Sequence, residues 1–445
     1  MAQAQGVLSG ARAAFAIFAV ALAVRLVYVA AVYDGVASVS HVDTAMWLDL
    51  ARAPGFWPGS HERMQLYPAF LRGCFLAFGE AAPLAAVILQ SAADAAACVA
   101  IFRLAECLRP GAGPWAGLFA AFNPAQIVMA GVLLGDSLNM VQLAFGFLAL
   151  ARWWRAGAPS DARHGIAAGL WFGSALLNRA MIWPFLPVLG LAMLALGWSL
   201  RRPLASALRA PAAMLAIVAL CAAPQIARNW AAHGEAALSS QGGAHLAQWV
   251  YPLVREAADG TPYGRTFDEV RAEYLARGGA LDDTRPFRAS ALFGQIAREG
   301  LAEVGIGGMA KAWAMGAAIN LASPATLMIP PVMALPRTGF YATEGDTPLA
   351  KALNFVTKSS RAAYVAWLAG GAALEWPVRA LAMAGLALAL WAAPARAAAL
   401  FAVLWAGYLL AVLGPIASAK YRLPIEPLAM AFAGYAVATW RARRA

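Results

Sequence analysis

The sequence predicts an all-α, polytopic transmembrane bundle of about twelve spans. Hydrophobic residues make up 62% and charged residues only 13% of 445. A soluble chain carries roughly 25% charge, so half the usual number cannot coat a water-exposed surface. Mean hydropathy is +0.62, and the apolar residues come in runs of roughly 17–25, the length that crosses a bilayer core as helix. Backbone that crosses lipid must satisfy its own hydrogen bonds, so these runs read as helices. Disordered, collagen-like, disulfide-scaffold and soluble-enzyme classes are excluded. Cys74, Cys98, Cys107 and Cys221 lie in or beside apolar runs without C-x-x-C spacing and read as small core hydrophobes.

In order, the spans fall near 13–33, 82–102, 113–132, 137–154, 165–180, 182–199, 210–228, 304–328, 355–373, 378–394, 397–416 and 424–440. The first is an uncleaved anchor, because Arg25 interrupts it and an outer loop follows. Gly165, Gly169 and Gly173, four apart on the fifth, are the spacing of close helix packing. Residues 1–445 thus form one integral membrane unit with two long loops. In loop 34–81, Asp43 to Arg52 is amphipathic, with Met46, Leu50 and Trp47 on one face, and suits a helix on the outer membrane surface. Loop 229–303 reads as a small helical cap, with helices at 265–277 and 285–298 split by a turn at 278–283.

The chain carries 34 Lys+Arg against 23 Asp+Glu, a net +11, and their distribution sets topology rather than pointing to nucleic acid. Alternate connections hold Arg12; Arg103 and Arg109; Arg152, Arg155 and Arg163; Arg201, Arg202 and Arg209; Arg337, Lys351, Lys358 and Arg361; Arg396; and Arg441, Arg443 and Arg444. Only Glu106, Asp161, Glu344 and Asp346 oppose them. This set reads as cytoplasmic, with both termini inside.

The unusual polar residues then gather outside: His41-Val42-Asp43-Thr44, Gly135-Asp136-Ser137, Asn178-Arg179, Arg228-Asn229, Glu375-Trp376 and Lys420-Tyr421-Arg422. Ionisable groups at membrane depth are costly and line functional cavities. A carboxylate can deprotonate an acceptor or hold a metal, and Arg or Lys beside it can bind a phosphate and stabilise it as a leaving group. Together they describe transfer from a phosphate-activated, lipid-linked donor. Each piece also has a plainer reading. Asp43 and Asp136 can cap helices, Lys420, Arg422 and Arg228 can anchor at the interface, and Arg25 can pair with Asp94 in the second span. His41-x-Asp43 has metal-ligand spacing but makes no site by itself. His61, His164, His233 and His245 form no triad with a serine.

These residues resemble the polyprenyl-phosphate-sugar-dependent glycosyltransferases of the GT-C superfamily, nearest the protein O-mannosyltransferases and the lipid A aminoarabinose transferases. The likeness runs through Arg25-Leu-Val-Tyr28 and Asp43-x-x-x-Trp47-x-x-x-Ala51. Gln65-Leu-Tyr-Pro-Ala-Phe-Leu71 stands in place of a Pro-Pro-Leu-Tyr-Pro segment with one proline lost. It continues with Asn123-Pro124, Leu133-Leu-Gly-Asp-Ser-Leu138, Gly169-x-x-x-Gly173 followed by Arg179, Pro224-x-x-x-Arg228-Asn229, Ser239-Ser-Gln-Gly-Gly-x-His245-Leu246 and Lys420-Tyr-Arg-Leu-Pro-Ile-Glu-Pro427. It covers residues 25–440.

The resemblance implies an inverting transferase that moves a sugar from a polyprenyl phosphate to an extracytoplasmic glycan, lipid or protein. Asp43 would be the general base and Asp136 the second acidic residue. Arg228, Lys420 and Arg422, then Arg179, would serve the donor phosphate, with Tyr67 and His245 as further substrate-binding candidates. Such an enzyme belongs in a bacterial plasma (inner) membrane. No cofactor is implied and a divalent cation stays open. Thr44 after Asp43 departs from the Asp-Glu of protein mannosyltransferases, His245 replaces an Asn, and the basic end of the chain carries no soluble C-terminal domain of the kind many relatives have. The alternatives are a transporter or flippase for a lipid-linked sugar, or a non-catalytic assembly subunit.

Overall fold

A computed structural model describes residues 2–55, 60–156, 161–280, 284–359 and 361–444, and among these every regular element is helical. In chain order the helices are α1 Ala2–Val32, α2 Thr44–Arg52, α3 Leu66–Phe78, α4 Ala82–Leu108, α5 Gly113–Ala121, α6 Pro124–Ala130, α7 Gly135–Arg155, α8 Asp161–Asn178, α9 Phe185–Ser199 and α10 Leu204–His233. There follow α11 Gln241–His245, α12 Tyr251–Ala258, α13 Tyr263–Ala276, α14 Pro286–Ala322, α15 Pro330–Met333, α16 Pro348–Asn354, α17 Ala362–Trp391, α18 Arg396–Leu413 and α19 Glu426–Ala442.

Five helical stretches among the described residues are long and apolar enough to cross a membrane: Gly10–Val32, Leu66–Leu108, Leu204–His233, Ala362–Trp391 and Arg396–Leu413. The flank of the bundle exposes Phe15, Val27, Leu191, Leu220, Leu400 and Trp391. A belt of this kind marks a surface meant for lipid. The chain is an integral membrane bundle.

Packing follows the sequence closely in the first half. Arg25, fully buried on α1, pairs with Asp94 of α4 at 2.5 Å and donates to the carbonyls of Ala120 and Ala121 at the end of α5. The three glycines of α8 lie against α10: a Cβ on Gly165 would sit 2.3 Å from the Ala210 carbonyl oxygen, and one on Gly169 2.9 Å from that of Met214. Only hydrogen at these positions lets the two backbones touch. The expected third span breaks at Asn123, whose side chain caps α6 by accepting from the Ala125 amide (2.8 Å) and donates to Glu426 (2.8 Å). Around α2 the buried face is Trp47, Leu48 and Ala51, with Met46 and Leu50 only half-buried.

The second half corrects the sequence reading. Spans expected at 355–373 and 378–394 are largely one 30-residue helix, α17, that runs through Glu375-Trp376-Pro377. Glu375 is buried there, ion-paired to Arg379 one turn on and to Arg422 at 2.7 Å. Neutralised in this way, a carboxylate sits inside a helix instead of marking a loop.

The basic connection with Arg337, Lys351, Lys358 and Arg361 is also misplaced by the sequence reading. Tyr341 donates to the Pro415 carbonyl (2.6 Å), the Lys351 ammonium donates to the Tyr341 carbonyl (2.6 Å), and Lys351 lies in the field of Glu256 and Lys311. This segment belongs to the Asp43 end of the bundle, beside loop 229–303. Helix α14 reaches it by a kink at Gly305 (φ 75°), a left-handed conformation that suits glycine. In the loop itself, α13 and the first half of α14 match the two expected helices, and α11 and α12 were not anticipated. Leu281, Asp282 and Asp283 of the expected turn lie outside the described residues.

Candidate active site

The site is built where two short backbone turns are strapped together. The Leu133 amide donates to the Val39 carbonyl (2.9 Å), and the Thr44 hydroxyl donates to the Leu133 carbonyl (3.1 Å) while accepting from the His41 amide (2.7 Å). These bonds hold the His41–Thr44 turn against Leu133-Leu134-Gly135-Asp136. Gly135 is required at this junction, because a Cβ would lie 2.7 Å from the Asn178 Oδ1 and 3.2 Å from the Tyr67 ring. Asn178 closes the junction by donating to the Gly135 carbonyl (2.8 Å).

Asp43 occupies the N-cap position of α2, yet its side chain makes no capping bond. Its Oδ2 lies 3.5 Å from the ammonium of Lys420, a residue only 6% exposed, and 3.9 Å from His41 Nδ1. Burial pushes the Asp43 carboxyl up, but Lys420, then Arg63 and His41, outweigh it and hold the group below the usual carboxylate range. Asp136 lies in the first turn of α7, with Leu134 as N-cap, and pairs with Arg179 at 2.8 Å. The capping alternative therefore explains neither carboxylate.

His41 ties the two acids together. Its pKa is lowered to about 4, first by burial and then by Lys420 and Arg179 against Asp43 and Asp136. The charges of both acids and both cations thus reach this one imidazole. At neutral pH His41 is uncharged, and its Nδ1 accepts from the Asp43 amide (3.4 Å).

The other sequence candidates separate. Tyr67 is fully buried and spends its hydroxyl on Gln90 (2.9 Å), which bonds in turn to the Ala130 and Val132 carbonyls. Its ring packs edge-on to Trp47 with centroids 5.6 Å apart and lies behind Gly135. His245, on α11, lies near Arg63 and Arg179, and burial and then those cations lower its pKa. Arg228 lies in the field of His61, whose Nδ1 is 2.8 Å from the Ser240 hydroxyl just before α11. Arg422 is 4% exposed, and its nitrogens reach Glu426 (2.6 Å), Glu375 (2.7 Å) and the carbonyls of Asn320 and Ser323. It is a tie between α14, α17 and α19, with its donors already used.

Sequence reasoning missed Arg63. Its guanidinium lies 5.7 Å from the Trp47 ring centroid, it acts on both Asp43 and His245, and its Nε is buried without a hydrogen-bond partner. Two further buried groups nearby in sequence lack partners: the Trp47 indole N–H and both amide atoms of Gln65. Buried polar atoms are rarely left unpaired, so this stretch has donors to offer a ligand. The only signal in the sequence was position, two residues before Gln65-Leu66-Tyr67-Pro68. Among the described residues no group of three or more His, Cys, Asp or Glu side chains gathers as a metal site.

No family model and no curated protein sequence matches the chain. Among solved structures it is similar to the archaeal oligosaccharyltransferase AglB from Archaeoglobus fulgidus in complex with an inhibitory peptide and a dolichol-phosphate, with a TM-score of 0.53 and 13% identity over 97% of this chain and 51% of that one. The Archaeoglobus fulgidus oligosaccharyltransferase tethered to an acceptor peptide containing the NVT sequon gives 0.53 and 12% over 97% and 50%. Its apo form gives 0.52 and 13% over 97% and 52%. At this identity the likeness shows a shared fold alone, and the chain spans about half the length of the structures it matches.

Proposed function

We propose that the chain is an inverting glycosyltransferase that moves a single sugar from a polyprenyl-phosphate donor to an acceptor on the outer side of a bacterial inner membrane. The observation that carries this reading is a carboxylate freed from helix capping, Asp43, set 3.5 Å from a buried ammonium, Lys420, on a turn strapped to the one that carries the Asp136–Arg179 pair. Likeness to a structure that holds a dolichol-phosphate and a peptide supports a lipid-linked donor and an extracytoplasmic acceptor.

In the reaction Asp43 takes the proton of an acceptor hydroxyl or amine, the acceptor attacks the anomeric carbon, and the bond from that carbon to the phosphate oxygen breaks. Polyprenyl phosphate leaves with the electron pair, and Lys420, Arg63 and Arg179 stabilise the added charge. Asp136 orients Arg179. Donor binding also tunes the base. A phosphate competes with Asp43 for Lys420, and a carboxylate relieved of its cation becomes more basic. Tyr67 backs the Trp47 and Gly135 side of the site, and His245 contributes a polar edge. Arg422, with its donors already engaged, has no part in this mechanism.

The same reading implies a topology. Crossings by α1, α4, α5 with α6, α7, α8, α9, α10, α17, α18 and α19 are ten, an even number that returns both termini to the cytoplasm and leaves α2, α3 and α11–α16 outside. That is two passes fewer than the sequence suggested, with α17 taken as one pass and the segment of Tyr341 and Lys351 taken to stay at the Asp43 end.

The test uses the full chain in detergent with a panel of polyprenyl-phosphoryl hexoses and pentoses and envelope extract as acceptor. Free polyprenyl phosphate from at least one member, absent in Asp43→Asn, is expected. Binding of every member without sugar loss, or flipping across vesicles without transfer, overturns the proposal in favour of a carrier.

A further inference from the structure

Helices α4 and α7 lie side by side and run the same way. Toward one end Gln90 donates to the Val132 carbonyl (2.9 Å), just ahead of α7, and toward the other Arg155 donates to the Cys107 carbonyl (2.6 Å). That register puts Arg103, one turn before Cys107, level with Arg152, which comes just before Arg155. Both arginines line a single open groove of about 540 Å³ between α1, α4 and α7. The charges of both also reach the Cys107 thiol.

The groove is written into two stripes with one spacing. On α4 the lining is Ala96, Val99, Ala100 and Arg103, positions i, i+3, i+4 and i+7; on α7 it is Phe145, Leu148 and Arg152, positions i, i+3 and i+7. Residues at these intervals share a helix face, so each stripe is apolar for about 10 Å and then ends in a guanidinium. Phe145 is held by stacking on Trp171 (centroids 4.6 Å apart), and Phe15, 72% exposed, carries the apolar lining onto the flank that faces lipid. Arg103 and Arg152 are exposed, and among the described residues neither makes an ion pair. Glu106, one turn beyond Arg103, is turned instead to the amides of Gly111 (3.1 Å) and Gly113 (2.8 Å). Cations that only anchor a bundle in the interface need share neither a level nor a groove; these two share both.

We infer that this groove binds one anionic glycerophospholipid of the leaflet opposite Asp43, with an acyl chain along the apolar stripes and the phosphodiester between Arg103 and Arg152. The two unesterified oxygens of a phosphodiester give each guanidinium an acceptor, and basic pockets between helices at headgroup level select anionic lipids. Arg152 lies about 24 Å along α7 from Asp136, so a sugar donor whose phosphate sits beside Lys420 cannot bring that phosphate to this pair. The inference rests on the bundle lying in a membrane, and it holds whether or not the chain transfers sugar.

Native mass spectrometry of the delipidated full chain, titrated with phosphatidylglycerol, phosphatidylcholine or polyprenyl phosphate, tests it. One phosphatidylglycerol is expected to bind at least tenfold tighter than phosphatidylcholine. Arg103→Gln with Arg152→Gln should weaken phosphatidylglycerol roughly fivefold per cation removed and leave phosphatidylcholine unchanged, erasing the preference. Ala96→Phe, which fills the groove, should release the bound phosphatidylglycerol at an unchanged melting temperature; the arginine variant leaves both stripes intact and so reads the charge alone. Equal affinity for the two phospholipids, a preference that survives in the arginine variant, or displacement by polyprenyl phosphate that depends on Arg103 and Arg152 would overturn the assignment.

Discussion

Asp43→Asn separates chemistry from architecture. The substitution keeps shape and removes one charge 3.5 Å from the Lys420 ammonium. At that distance two unit charges attract by about 1 kcal/mol in bulk water and about 5 kcal/mol at an effective dielectric of 20. The Asp43 side chain is 31% exposed, so solvent screens it, and a net loss of about 1–3 kcal/mol of stability is expected. No helix cap is lost, since the carboxylate makes none. Removing a general base costs more: about 10²–10⁴ in turnover, a rise of roughly 3–5 kcal/mol in the barrier. Donor binding should hold or tighten, because Lys420 is released to the phosphate. The assay is the initial rate of polyprenyl phosphate release from the reactive panel member, with donor affinity measured on the same preparation. Turnover within tenfold of the wild type in a folded variant refutes the role assigned to Asp43.

Three other expectations concern pH and packing. His41 titrates near 6.5 when unfolded and at about 4 when folded, so its contribution is complete above pH 6.5 and fades as pH falls to about 4, by roughly 3 kcal/mol at most; His41→Gln should flatten thermal stability between pH 7 and 4.5. Arg25→Leu leaves Asp94 buried without its cation and should cost about 3–5 kcal/mol, most of it recovered when Asp94→Leu is added; chemical unfolding in mixed micelles measures both. Gly385→Val places a Cβ 1.8 Å from the Phe432 carbonyl oxygen, forcing α17 from α19 at a cost of about 1–3 kcal/mol, whereas Gly407→Ala, with nothing within 4 Å, should leave the melting temperature unchanged.

What could be read from the sequence depended on how local the physics was. Long apolar runs announced α1, α4 and α7 to α10. The glycine spacing announced the α8–α10 contact, and Arg25 announced Asp94, because an unpaired guanidinium cannot stay in lipid. Both aspartate turns fell at one end as expected. The errors share a cause. Glu375 beside Pro377 looks like a turn until its partners Arg379 and Arg422 are known, and Arg422, 47 residues away, cannot be inferred from hydropathy. Counting basic residues could not anticipate that Tyr341 and Lys351 lie against Pro415, next to the Lys420 segment, because α14 bends at Gly305. Arg63 and Arg422 exchange apparent importance for the same reason. A cation's availability depends on which acceptors surround it, and the basic motif near residue 420 reveals its charge but not the two carboxylates that occupy Arg422.

The short reach between Glu375 and Arg379 bears on how this protein is made. Translation delivers α17 well before Arg422 exists, so a lone glutamate midway along that segment would stall at the translocon exit, where unbalanced charge resists partitioning. A cation one turn later lets the segment enter the bilayer as an internally compensated rod. When the final helix arrives, Arg422 joins the pair already waiting and fastens the last two passes. Arg379→Leu should therefore impair biogenesis first, lowering yield in the membrane before any effect on the finished molecule is seen.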